Sequence, residues 1–296
     1  MLTGVGLGFG AAIFQSGSYI CGRLFTSRFG GRALVLLAMS HIIMAGFSLA
    51  ILPFCIAKQL PGLGVYLLNV VYCAGFYLAG QFCLFMALRH ANASRVSPLL
   101  GLKVFMLAVI GVALMGQHFT FVQWAAIVMS ICGAYFLSYT GERMSDVSIY
   151  WVLGACLCYC ISDLNIKIIV KHFEYAGLMR ASMTSVCLTY ILCGAAGAAA
   201  MVWLPRPKPG MWAYSVPFAA TWFVSMIFLF ACFAEIGVVY GNIIQSSRGI
   251  ISVVLGAVIS SLGHVAIEQK VSRKVFLGRL AAAGLITAAI ALYSLG

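Results

Sequence analysis

Apolar residues in this chain run in long blocks, broken only by short polar stretches, rather than in the narrow stripes of a soluble amphipathic helix. A membrane-spanning helix needs about 20 consecutive, mostly apolar residues. On that measure ten spans are predicted, over residues 4–24, 34–57, 64–87, 97–115, 122–140, 149–170, 179–203, 212–234, 243–262 and 275–295. Runs of this length suit helices and not barrel strands, and a backbone facing lipid must satisfy its polar groups within the segment. The predicted fold is therefore an all-α integral membrane bundle. The most polar central stretch, residues 141–148, separates residues 1–140 from residues 149–296 and leaves five spans on each side. Five is odd, so the two units are expected to lie in opposite orientation, as inverted five-helix repeats.

Composition agrees with the pattern and narrows the class. Hydrophobic residues make up 63% of the chain and charged residues 8%, and the mean hydropathy is +1.06. A soluble core of this size does not need so much apolar sequence. The net charge of +12 would suggest nucleic acid in a soluble protein. Here most basic residues fall in short loops, so they read as topology signals and no nucleic-acid partner is expected. Loops after odd-numbered spans hold twelve of them, including Arg23, Arg28, Arg89, Arg206 and Lys270, against Lys58, Lys171 and Arg180 on the other side. That bias puts the odd loops in the cytoplasm and both termini outside. The glycines at positions 4, 6, 8 and 10, with no basic segment before them, read as a packing face of a first mature helix rather than as a signal peptide.

The residues that stand out chemically are cations inside apolar runs. Lys103 and Arg248 close two windows of equal length, residues 88–103 and 233–248, each running from a turn into a hydrophobic helix. A charge at membrane depth is a functional-site hypothesis by default. Polar side chains at helical spacing surround them: Asn242, Gln245 and Ser252 on the ninth span, Asn69, Tyr72 and Tyr77 on the third, and Gln15 and Tyr19 on the first, with Trp222 buried mid-span on the eighth. Such stripes serve either as glue between helices or as the wall of a wet cavity. Asp163 is the one acidic residue deep in a span. With Lys167 at i+4 it has the spacing of a helical ion pair; alternatively it faces the cavity and exchanges between Lys103 or Arg248 and a proton, coupling transport to a gradient. Two cations against one acid leave the cavity positive, which favours an anionic substrate.

Little in the chain supports catalysis, a metal or a cofactor. Cys156, Cys158 and Cys160 alternate between helix faces and cannot converge on one ion, and the odd total of eleven cysteines, mostly within spans, argues against a disulfide framework. His41 lies in the second span and reads as a satisfied polar group. Metalloprotease, phosphate-loop and nucleophile-elbow motifs are missing from the sequence. A membrane-embedded redox or lipid-modifying enzyme using these cysteines or His41 is a distant alternative.

The ends of the two units share a pattern. The stretch A-L-R-H-A-N-A-S-R-V-S-P-L-L-G-L-K, an apolar span, G-Q-H and a span with Gly133 parallel F-A-E-I-G-V-V-Y-G-N-I-I-Q-S-S-R, an apolar span, L-G-H and a span with Gly278 and Gly284. Here the sequence resembles the EamA-type families of the drug/metabolite transporter superfamily. The family pattern has a glutamate before the last span of each half, where this chain offers Gln117 and Glu268. In related plastid phosphate translocators, basic residues on the fourth and ninth spans hold the substrate phosphate, and Lys103 and Arg248 stand at the corresponding places. The resemblance implies a secondary active transporter working by alternating access, for an organic anion or phosphate-bearing metabolite. An exporter of amino acids or other zwitterions is the alternative, with Lys103 or Arg248 on the carboxylate and Asp163 or the aromatic face on the amine. Transport would be driven by exchange or a proton gradient, a monomer suffices, and a bacterial inner membrane is the expected location.

Overall fold

The computed structural model describes residues 1–30, 32–56, 61–90, 100–138, 146–248, 250–251, 254–255 and 273–296. Within them the chain forms helices α1 (Leu2–Phe29), α2 (Ala33–Cys55), α3 (Leu63–His90), α4 (Leu102–Met115), α5 (Phe121–Ser138), α6 (Asp146–His172), α7 (Leu178–Met201), α8 (Pro209–Ile236), α9 (Val238–Gln245) and α10 (Arg273–Leu295), with a 3-10 turn at Glu174–Ala176. Among the described residues no strand occurs. The all-helical expectation therefore holds.

Helix ends follow local chemistry. Gly30 and Gly116 close α1 and α4 in the left-handed conformation, at φ 68° and 62°. Thr120 and Gln123 form a reciprocal cap at the start of α5: the Thr120 amide donates to Gln123 Oε1 at 3.0 Å, and the Gln123 amide to Thr120 Oγ1 at 3.2 Å. Pro209 opens α8, where its missing N–H costs nothing.

Five described segments are long and apolar enough to cross a bilayer alone: Ala33–Cys55, Leu63–Leu84, Val147–His172, Leu178–Met201 and Pro209–Ile236. Shorter apolar helices cover Leu102–Ala113, Phe121–Gly133 and Gly284–Leu295. Helix α1 is long but does not meet that standard, because Gln15, Ser16, Ser18 and its glycines dilute its apolar character. It buries those small and polar residues against other helices.

The ninth predicted span differs most from expectation. Its helix starts five residues earlier, at Val238, directly after Gly237, and breaks in a turn at Ser246 and Ser247 before helical backbone resumes at Arg248. Gly237 has φ 84° and ψ 161°, a region open essentially to glycine, so α8 and α9 meet without a loop. The stretch from 256 to the end of that span lies outside the described residues. Of the expected linker, 141–145 lies outside them as well, while 146–148 already belong to α6.

The most extensive packings pair α3 with α6, α1 with α8, α2 with α7 and α5 with α10. Each joins a helix before residue 140 to one after residue 145. Small residues allow this closeness: a Cβ on Gly194 would sit 2.9 Å from the His41 carbonyl oxygen, and one on Gly197 equally near that of Ala38. On α1, Gly4 and Gly8 face α8 and α9, whereas Gly6 meets nothing within 4 Å, so the expected glycine face is narrower than four residues.

Candidate functional site

Both cations begin a helix after a break. Lys103 lies in the first turn of α4, its amide bonded to Leu100 O at 3.1 Å, and Arg248 follows the Ser246–Ser247 turn. A helix N-terminus carries partial positive charge, so a cation there increases the demand for a negative partner.

Lys103 finds one. Its Nζ lies 2.9 Å from Asp163 Oδ2 on α6, both side chains nearly buried at 15% and 10% exposure. Asn242 Nδ2 donates to the same oxygen at 3.0 Å and to Val238 O at 2.9 Å. The i+4 pairing of Asp163 with Lys167 is not what forms: a charge from another helix occupies the carboxylate. Lys167 instead extends toward Gly237, with Nζ 4.0 Å from where a Cβ would stand.

Arg248 meets only neutral partners among the described residues. Its Nη1 donates to Gln15 Oε1 at 3.1 Å, and Gln245 Nε2 donates to that oxygen at 2.9 Å. Ser16 Oγ donates to the Arg248 carbonyl at 3.1 Å, joining α1 to this turn. Gln15, Asn242 and Gln245 are all buried.

Aromatic side chains wall the region. Tyr159 of α6 stands with its ring centroid 5.8 Å from Lys103 Nζ. Tyr77 of α3 is 6.5 Å from Tyr159, 6.1 Å from Tyr190 of α7 and 5.6 Å from the His41 ring of α2, by centroids. Trp222 is buried and donates Nε1–H to the Tyr190 hydroxyl at 2.8 Å, while Tyr19, 38% exposed, packs edge-on against it.

The expected polar face of the third span is split by the packing. Tyr72 is 45% exposed on the outside of the bundle, against Phe76, and away from Tyr77. Asn69 donates to Asn165 Oδ1 at 2.9 Å and so ties α3 to α6. Ser252 lies outside the described residues. Sequence reading missed Asn165, Tyr159 and Tyr190. Asn165, two residues from Asp163, was the one with a readable signal, because an amide in an apolar run needs a partner.

A cleft of about 410 Å³ opens beside this network, lined by Gln117, Gln123, Lys167, Glu235, Tyr240 and Tyr293 among others. Asp163 and Asn242 lie four residues beyond Lys167 and Val238, about 6 Å deeper along α6 and α9 at the helical rise.

These features define a polytopic helical membrane protein in which a charged network is buried between helices drawn from both halves of the chain. Residues 2–139, a little under half of the chain, match the model of the EamA-like transporter family. A solved structure titled "Crystal structure of protein" is similar with a TM-score of 0.73, covering 100% of this chain and 97% of its own at 15% identity, which shows a shared fold. No curated protein matches the chain.

Proposed function

We propose that the protein is a secondary carrier for a small organic anion or phosphate-bearing metabolite, bound at Arg248 and moved by alternating access. The observation that carries this reading is the charge balance at the break before Arg248. Asp163 is occupied by Lys103 and Asn242, whereas Arg248, half-buried, meets a neutral amide, Gln15, among the described residues. A half-buried guanidinium gains from a carboxylate or phosphate, which it grips with two parallel bonds. Gln15 and Gln245 hold the fork in place for that partner.

Asp163 supplies the coupling. A proton on its carboxyl releases Lys103, and the freed ammonium becomes a second ligand for the anion, so substrate and proton bind in sequence at one centre. Support for two inverted repeats, residues 1–140 and 149–296, comes from the packing. Exchanging each helix of one half for its counterpart in the other turns α1 on α8 into α6 on α3 and leaves α2 on α7 and α5 on α10 unchanged. Rocking of one half against the other exposes such a centre to either side in turn.

The test is binding of phosphate esters, carboxylates and inorganic phosphate to purified protein, read as thermal stabilisation. Losing the paired charge-assisted hydrogen bonds, each worth about 1.5–3 kcal/mol, is expected to weaken anion binding at least about 10- to 100-fold in Arg248→Ala and less in Arg248→Lys. Undiminished binding in Arg248→Ala refutes the assignment. In proteoliposomes Asp163→Asn is expected to transport without response to an imposed pH gradient.

A further inference from the structure

We propose that His41, with Tyr77 and Tyr190, forms a second subsite that accepts a hydrogen bond from an N–H or O–H group of the substrate. This deepens the reading of an anion held at Arg248 and rests on it.

His41 is 2% exposed, in the middle of α2. Its Nδ1 lies 2.7 Å from the Leu37 carbonyl oxygen one turn back. A carbonyl only accepts, so Nδ1 carries the proton, and in the neutral ring Nε2 keeps a free lone pair. Nε2 has no hydrogen-bond partner among the described residues. The expectation of a satisfied polar group is thus only half met. A buried acceptor left unpaired costs free energy, and such an atom needs an explanation.

The surroundings point to a ligand. The His41 ring clusters with Tyr77, at 5.6 Å and 54°, and Tyr190, at 6.0 Å and 21°, the two tyrosines being 6.1 Å apart by centroids. Tyr190 accepts from Trp222 Nε1 at 2.8 Å, and neither tyrosine hydroxyl is in hydrogen-bonding geometry with Nε2. From His41 the rings run through Tyr77 to Tyr159, whose centroid lies 5.8 Å from Lys103 Nζ. An acceptor therefore sits at one end of an aromatic wall and a cation at the other. A molecule with an anionic end and a donor group matches both ends. Electron-rich ring faces favour a cationic donor further, so an ammonium and a hydroxyl are the two sources of the donor.

Backbone packing keeps the imidazole in place. The His41 backbone is pressed against α7 where Gly194 and Gly197 allow contact, so the ring does not leave the wall without separating α2 from α7.

Three probes share one carbon frame and differ in a single group: phenylalanine carries an ammonium, 3-phenyllactate a hydroxyl and 3-phenylpropionate neither. Their affinities are measured for the full chain, His41→Asn, His41→Gln and Arg248→Ala. Asparagine can still reach the Leu37 carbonyl but has nothing at the Nε2 position; glutamine places a polar atom near that position. The wild-type protein is expected to bind at least one donor-bearing probe about tenfold more tightly than 3-phenylpropionate, one such hydrogen bond being worth about 1.4 kcal/mol. His41→Asn is expected to lose that preference while keeping its melting temperature and its affinity for 3-phenylpropionate, and His41→Gln to recover part of it. Which of the two donors is preferred distinguishes ammonium from hydroxyl. Equal binding of all three probes by the wild type, a preference that survives in His41→Asn, or no binding of any probe overturns the subsite. The Arg248 reading is judged separately by inorganic phosphate, whose binding depends on Arg248 and not on His41.

Discussion

At the scale of single residues, the decisive fact is which charge neutralises which. Lys103 and Asp163 meet at 2.9 Å, with the carboxylate also holding Asn242. Removing one member of a nearly buried pair leaves the other uncompensated, at a cost of about 3–5 kcal/mol. Lys103→Ala is therefore expected to lower the melting temperature in detergent markedly, and the double variant Lys103→Met with Asp163→Asn to restore most of the loss. A double variant as unstable as the single would show that packing around Lys103, and not its charge, is responsible. The importance of Lys103, Arg248 and Asp163 was legible in the sequence because ionised groups are rare in apolar runs. Their partners were not. Lys167 at i+4 satisfied a local rule that a lysine from another helix overrode, and only the approach of α4 to α6 decides between the two.

At the scale of elements, helices before residue 140 pack on helices after residue 145 through small residues, and α2 meets α7 backbone to backbone. Carbonyl oxygens of Ala38 and His41 lie where a Cβ on Gly197 or Gly194 would go, so no side-chain rotation relieves a larger residue. Gly197→Val is expected to cost about 1–3 kcal/mol by overpacking. Gly6→Val, with nothing within 4 Å of the new Cβ, is expected to be near neutral. Equal melting temperatures for the two variants would remove the close approach as a source of stability. The expected ends of most helices were readable from hydrophobic runs, but the break before Arg248 was not. Serines at 246 and 247 sit in an apolar stretch that reads as one continuous span, and the turn shows only when the backbone is seen bonding Ser247 N to Ile244 O.

At the scale of the whole molecule, orientation remains a matter of charge distribution along the loops. The α4–α5 turn and the α7–α8 turn follow an even and an odd helix, and the basic residues Arg206 and Lys208 lie in the latter. The positive-inside rule then places His118 outside and Lys208 inside. In intact cells His118→Cys is expected to react with a membrane-impermeant maleimide, and Lys208→Cys only after permeabilisation. The reverse pattern would invert the protein in the membrane and turn the 410 Å³ cleft, which His118 helps to line, toward the cytoplasm.

What the sequence by itself determined is what lipid enforces on any chain: apolar length, helical backbone, the polar divide near residue 141 and the few charges that must have a purpose. Each follows from the cost of placing polar groups in hydrocarbon, which is paid residue by residue. Only the tertiary structure decided that Tyr72 faces outward while Tyr77 faces in, that Asp163 belongs to Lys103, that Arg248 meets Gln15 and that, among the described residues, His41 Nε2 has no partner. Those outcomes depend on which helix face meets which, and in a chain apolar on nearly every face that choice comes from the fit of small residues and buried hydrogen bonds between segments far apart in sequence.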